Sequence, residues 1–217
     1  MSGKKNYETW WENNLGSDKY FHNGQWYNAP TVSTFESWMG DHNAPDRVYA
    51  RTLFVPYDSI LDAGCGAAPE AQAIDTNKYT GMDITQKLVD YNNSRGIKCV
   101  QGTLENIPFN NSQFDIVVSR HVTEHMSSIE KPLNELIRVA KKQVIVLFFI
   151  KPEVLESHEI FLDNINTEWE IYHNRYSKTL IEQQLTNNTK VDGYSWVEGR
   201  ASTQCYLDIK LTTQGIV

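Results

Sequence analysis

From residue 59 onward, short runs of apolar and β-branched residues alternate with stretches in which apolar positions recur at helical spacing. The runs over 60–63, 79–82, 98–101, 114–119 and 143–149 read as strands. Between them the pattern predicts a helix over 85–94, with Leu88 and Tyr91 on one side. A second helix is predicted over 127–141, where Leu133, Leu136, Ile137 and Ala140 share a face. Ser127 or Ser128 suits the start of that helix, and Lys141-Lys142 its negative end. Such alternation predicts βαβ units and a parallel sheet. Farther on, a helix over 177–185 precedes alternating patterns over 191–197 and 201–211 around Glu198-Gly199-Arg200, which read as an antiparallel hairpin at the sheet edge. Residues 1–57 are different: polar, rich in Trp and Tyr, and broken by Gly16, Gly24, Pro30 and Pro45 into what reads as short helices and loops.

Composition narrows this picture. A length of 217 residues with 40% hydrophobic positions suits one globular domain over 1–217. Within it, 1–57 would form an aromatic leader or cap, 58–151 a cofactor-binding core, 152–176 an insertion over the pocket, and 177–217 the final helix and hairpin. The longest apolar run, 144–150, is far too short to cross a bilayer. No apolar signal core follows the first residues, so a cytoplasmic setting is expected. Cys65, Cys99 and Cys205 lack C-x-x-C spacing and offer neither a disulfide framework nor a zinc site. A net charge of −7 without a basic cluster argues against nucleic acid as a substrate.

The most informative stretch is Ser59-Ile60-Leu61-Asp62-Ala63-Gly64-Cys65-Gly66-Ala67-Ala68. An apolar run ending in an acid and a glycine pair reads as a buried strand turning into a nucleotide-binding loop. Glycine there permits the turn and lets a ligand approach the backbone. Asp83 closes the next strand about 20 residues on, where dinucleotide-type folds place a carboxylate for ribose hydroxyls.

These residues resemble the class I S-adenosylmethionine-dependent methyltransferases, in particular their small-molecule (type 11-like) group, whose first motif reads D-x-G-C-G-x-G. Asp83 fits that family's ribose-binding acid. Gly102-Thr103-Leu104-Glu105-Asn106-Ile107-Pro108-Phe109 is similar to its segment beside the adenine, Phe114-Asp115-Ile116-Val117-Val118-Ser119 to its fourth strand, and Glu124-His125-Met126 to the "E-H-L" that follows. Two positions depart from the pattern. Ala68 stands where a third glycine is common, and Thr103 replaces the acid that usually faces the adenine amino group. The resemblance implies an α/β, Rossmann-like, doubly wound and mostly parallel seven-stranded sheet with a C-terminal antiparallel hairpin. It also implies S-adenosyl-L-methionine as cofactor, bound by Asp62, Gly64, Cys65, Gly66, Asp83, Ile84, Gly102, Thr103, Leu104 and Ser119. The segment 152–176, with Phe161, Trp169, Tyr172 and Tyr176, falls where the family carries a variable lid.

Methyl transfer from a sulfonium is an in-line displacement with an activated leaving group, so the protein chiefly positions the acceptor and removes its proton. His121, just after the fourth strand, and His173, in the lid, are the candidate bases, whereas His125 reads as structural. Two readings fit Arg120: a guanidinium for an acceptor carboxylate or phosphate, and an arginine paired to a helix or to solvent. Trp10, Tyr20, Arg120 and Tyr172 are the candidate acceptor-binding residues. No N/D-P-P-Y/F tetrapeptide of the amino-DNA methylases is present, and Ser119-Arg120-His121 lacks the acidic cluster of a metal-dependent type, so no metal is expected. The expected activity is methylation of an oxygen or nitrogen on a small-molecule acceptor, such as a sugar or other biosynthetic intermediate, without membrane or nucleic-acid partners. The rivals are a protein or peptide methyltransferase, which would show a wide open groove, and a catalytically silent methyltransferase-like subunit, which would expose a large apolar patch. Oligomeric state stays open.

Overall fold

The computed structural model describes residues 41–161, 172–199 and 203–212, together with the backbone of 19–22 and 25–28. In chain order it contains β1 (Lys19–His22), β2 (Gln25–Asn28), α1 (Pro45–Thr52), β3 (Ile60–Ala63), β4 (Tyr79–Asp83), α2 (Gln86–Ser94), β5 (Cys99–Gln101) and β6 (Phe114–Arg120). There follow α3 (Glu130–Val139), β7 (Ala140–Phe148), α4 (Lys178–Thr186), β8 (Val191–Glu198) and β9 (Cys205–Leu211). Single 3₁₀ turns at Pro69–Gln72 and Thr123–His125 follow β3 and β6.

Seven strands form one sheet in the order β5-β4-β3-β6-β7-β9-β8. The pairings from β5 through β7 are parallel, and β9 pairs antiparallel with both β7 and β8. The chain moves outward from β3 to β4 and β5, then returns to lay β6 on the other flank of β3. Strand order therefore reverses at β3, and a crevice opens beyond the carboxyl ends of β3, β4 and β6. Because these strands are covered on both faces they read as continuous apolar runs rather than alternating ones. Leu61, Val117, Val144 and Val146 join α3 and α4 in one core layer, while Ile60, Ile116, Val118 and Ile145 join α1 and α2 in the other.

Four details depart from the sequence reading. The described residues of 1–57 hold a β-hairpin, β1 with β2, which the reading as short helices and loops did not include, beside the short helix α1; Lys19 faces Asn28 and His22 faces Gln25 across the ladder. The helix predicted over 127–141 is shorter, and Ile129, not Ser127 or Ser128, is its N-cap; Ser128 Oγ is engaged by the Glu130 carboxylate. Lys141 and Lys142 do not close that helix, because β7 begins at Ala140 and pulls both into the sheet. Tyr176, counted with the lid aromatics, is a core residue whose hydroxyl donates to the Thr123 carbonyl at 2.6 Å. The last helix is capped as its sequence suggests, Ser177 Oγ accepting from Leu180 N–H. No helix among the described residues is long and apolar enough to cross a membrane.

Candidate active site

The crevice at the strand reversal spans about 760 Å³ when the open solvent at its mouth is included. Its floor is the loop after β3. Gly64 adopts φ +87°, and a Cβ there would fall 2.3 Å from Val122 Cγ2, so the turn requires glycine both for its backbone and for the close approach of the β6 end. Gly64 and Cys65 donate their N–H groups to Met82 O, while Gly66 N–H donates to Asp83 Oδ2 at 2.8 Å. Asp83 Oδ1 accepts from Thr85 N–H at 3.0 Å. One carboxylate thus locks the loop after β3 to the start of α2, and each oxygen keeps a further acceptor direction. Burial raises the pKa of Asp83, against the lowering effect of the bonds from Thr85 and Gly66.

Gly64, Gly66, Asp83, Ile84, Gly102, Thr103, Leu104, Arg120 and His121 are brought together around this single space. Ser119, also expected to bind the cofactor, is fully buried and is not among the residues that line the space. Thr103 Oγ accepts from Glu105 N–H at 3.0 Å, so the threonine that replaces the expected acid shapes its own turn and retains its O–H for donation. Asp62 and the Cys65 backbone border a smaller annex lined also by Arg47, Gly64, Gly66 and Arg120. The Cys65 thiol itself turns into the core, 3.6 Å from Cys99 Sγ. Asp62 accepts from Tyr79 O–H at 2.8 Å, and burial, reinforced by the nearby Glu70 charge, pushes its pKa up to about 6.

At the far end, His121 takes φ +56°, a left-handed conformation uncommon outside glycine and concentrated at functional sites. Burial and then the Arg120 charge lower its pKa to about 3, so the imidazole is neutral over the physiological range. His125 is likewise held neutral, near 4, mainly by burial; its Nδ1–H donates to Tyr172 O at 2.8 Å. His173 does not line the crevice. It stacks one layer back, 5.1 Å from the His125 ring, with Phe149 beside both. Tyr172 contributes its carbonyl. Trp10 and the side chain of Tyr20 lie outside the described residues, as does 162–171 of the expected lid.

Arg120 is committed to a partner rather than presented whole to an acceptor anion: its Nε and Nη2 donate to Asp46 Oδ2 of α1 at 2.9 and 2.5 Å. Sequence reasoning also missed Thr85, Met82 and Leu88, which line the crevice, and read as structural His125, which lines it too. Thr85 and Met82 flank Asp83 and were within reach of that motif. Asp46 and Arg47 carry no local signal, because only the docking of α1 brings them near.

The donor set fits a nucleoside cofactor on one further observation. Among the described residues, the buried side-chain polar atoms without a hydrogen-bond partner are Thr85 Oγ, Ser119 Oγ and His121 Nε2, and all belong to the carboxyl ends of β4 and β6. Unpaired buried polar atoms are rare and costly, and those of Thr85 and His121 belong to residues that line the crevice, which suits it to a polar ligand. No group of three or more His, Cys, Asp or Glu side chains among the described residues is arranged to hold a metal ion.

Strand order, reversed last strand and crevice define the class I methyltransferase fold. The family model described as a methyltransferase domain matches residues 61–148, the segment that builds most of the crevice. An uncharacterised methyltransferase of Bacillus subtilis, YcgJ, is 34% identical over 92 residues, covering 38% of this chain and 36% of the relative. The match thus spans about a third of the length of the curated relatives. Among solved structures, an S-adenosylmethionine-dependent methyltransferase of Thermotoga maritima superposes with a TM-score of 0.58 at 17% identity, over 83% of this chain and 96% of that one. A chain from the complex of the Haloferax volcanii Trm112 methyltransferase activator with a methyltransferase gives 0.60 at 14%, over 83% and 93%. These two structural likenesses concern the fold.

Proposed function

We propose that the chain is an S-adenosylmethionine-dependent methyltransferase that transfers a methyl group to an oxygen or nitrogen of a small metabolite, such as a sugar or other biosynthetic intermediate. The observation that carries the reading is the crevice itself, lined by the Asp83 lock on the glycine loop and by Thr85 and His121, each with an unpartnered buried polar atom. The cofactor, when bound, supplies a sulfonium methyl group with an activated leaving group. Asp83 holds the ribose through its remaining acceptor directions, and Ile84, Leu88 and Leu104 offer an apolar wall to the base. His121, neutral and strained at the end of β6, accepts a hydrogen bond from the acceptor's O–H or N–H through Nε2 and orients its lone pair toward the methyl group.

Calorimetric titration with S-adenosylmethionine and S-adenosylhomocysteine tests the donor half. Micromolar binding of both supports it, and absence of heat or thermal shift at millimolar ligand overturns it. Incubation with radiolabelled donor and a panel of small hydroxyl and amine metabolites tests the acceptor half, with label carried only by added protein or peptide counting against it.

A further inference from the structure

Two thiols 34 residues apart in the chain meet in the core behind the glycine loop, Cys65 Sγ standing 3.6 Å from Cys99 Sγ with both residues buried. The sheet builds this pair. Cys65 sits in the loop after β3 and Cys99 begins β5, while between them runs β4, where Gly81 pairs with Asp62 on one side and with Cys99 on the other. A Cβ on Gly81 would fall 2.8 Å from the Cys65 sulfur and 3.3 Å from the Cys99 sulfur, so the glycine leaves open the gap in which the thiols face each other. Asn92 of α2 closes the group: its amide donates to each sulfur at 3.7 Å and to Gly66 O at 2.8 Å. The hydrogen bond from Cys65 lowers the pKa of the Cys99 thiol, burial opposes that effect, and Asn92 adds to it, which makes Cys99 the nucleophile of the pair.

We propose that Cys65 and Cys99 form an oxidation site at which a peroxide closes a disulfide, and that the closed bond weakens binding of the methyl donor. With hydrogen peroxide, the Cys99 thiolate attacks one oxygen, the O–O bond breaks and hydroxide leaves, giving a sulfenic acid. The Cys65 sulfur then displaces the sulfenic oxygen, which departs as water; in sum two thiols lose two electrons and two protons, and the peroxide becomes two waters. Access is through β5, a three-residue strand at the edge of the sheet, the kind of element that opens locally. The effect on the donor rests on the reading of the crevice given above. A disulfide needs its sulfurs about 2.05 Å apart, so the gap of 3.6 Å must close by about 1.5 Å. Either side that moves belongs to the crevice. Gly66, next after Cys65, gives its N–H to Asp83, and Gly102, just past the end of β5, lines the same space.

The test treats the purified chain with millimolar hydrogen peroxide and then with dithiothreitol. Intact mass should fall by two hydrogens, and peptide mapping should join Cys65 to Cys99 and leave Cys205 a thiol. Affinity for S-adenosylhomocysteine, read by calorimetry, should drop about tenfold or more as the Gly66–Asp83 bond is displaced, and the reductant should restore it. Cys99→Ser should bind S-adenosylhomocysteine as the reduced wild type does and keep that affinity after peroxide; should it fail to fold, Cys99→Ala replaces it with the same expectation. No Cys65–Cys99 bond after peroxide, a bond that leaves the affinity unchanged, or an equal loss in the Cys99 variant would overturn the proposal. If the reduced wild type binds no S-adenosylhomocysteine, the donor reading falls and takes the effect on the donor with it, while peptide mapping still decides whether the bond forms.

Discussion

Asp83 shows how one side chain serves loop and ligand together. Asp83→Asn replaces an oxygen that accepts from Gly66 or Thr85 with an amide that cannot, and removes the charge offered to a ribose. Affinity for S-adenosylhomocysteine should drop at least about tenfold, read by calorimetry, since charge-assisted bonds are worth roughly 1.5–3 kcal/mol each. His121 belongs to the same scale. Asparagine tolerates the left-handed backbone better than most residues, so His121→Asn isolates the imidazole. Turnover should fall about tenfold or more as the acceptor loses the Nε2 hydrogen bond that orients it, with donor affinity nearly unchanged. With a folded pKa near 3, wild-type turnover should show no acid limb near pH 6.5 from this group; such a limb would mean that another base is at work. Asp83 and Gly64 were legible because their chemistry is local to a strand end. The neutrality of His121 was not, since it follows from burial and from Arg120, and the partner of Arg120 is 74 residues away in sequence.

Elements divide along the same line. The strands of the sheet and the helices α2 and α4 follow from β-branched runs and helical spacing, with ends shifted by a residue or two except at the starts of β7 and β9, which move by three and four. The hairpin of β1 and β2 was missed although Asn23-Gly24 between its strands is a strong hairpin dipeptide; the aromatic crowding of residues 1–57 masked the alternation. Helix α1 falls among the short helices expected in 1–57, but its place was not legible, for a different reason. Its eight residues hold little apolar surface, and it is fastened by charge: Glu70 bridges Arg47 at 2.9 Å and Arg51 at 2.7 Å. Glu70→Ala leaves two partly or wholly buried guanidiniums without their carboxylate, which should destabilise the fold by about 3 kcal/mol or more in urea unfolding. A loss under about 1 kcal/mol would show that α1 is held by other contacts.

Across the whole molecule, buried titratable groups set the response to pH. Glu124 is fully buried after β6, accepts from Phe149 and Ile150 N–H, and has its pKa raised by burial to about 7. A carboxyl raised in the folded state contributes stability that is fully present below its unfolded value, near 4.5, and is lost as pH rises toward 7. Glu124→Gln removes that dependence. The stability of the variant relative to wild type should climb between pH 4.5 and 7, by up to about 3 kcal/mol, and denaturant melts across that window measure it. A difference that stays flat would place the carboxyl's titration elsewhere.

Tyr206 O–H of β9 donates to the Asp46 carbonyl at 2.7 Å, and the Asp46 carboxylate holds Arg120, a link that also bears on timing. During synthesis the glycine loop, Asp83 and His121 all leave the ribosome well before β9 does. Until β9 is laid between β7 and β8, the first turn of α1 lacks its tyrosine anchor, and β7 offers an unpaired edge. The nascent chain thus carries every chemical group of the crevice before Tyr206 can anchor the turn of α1 that holds Arg120.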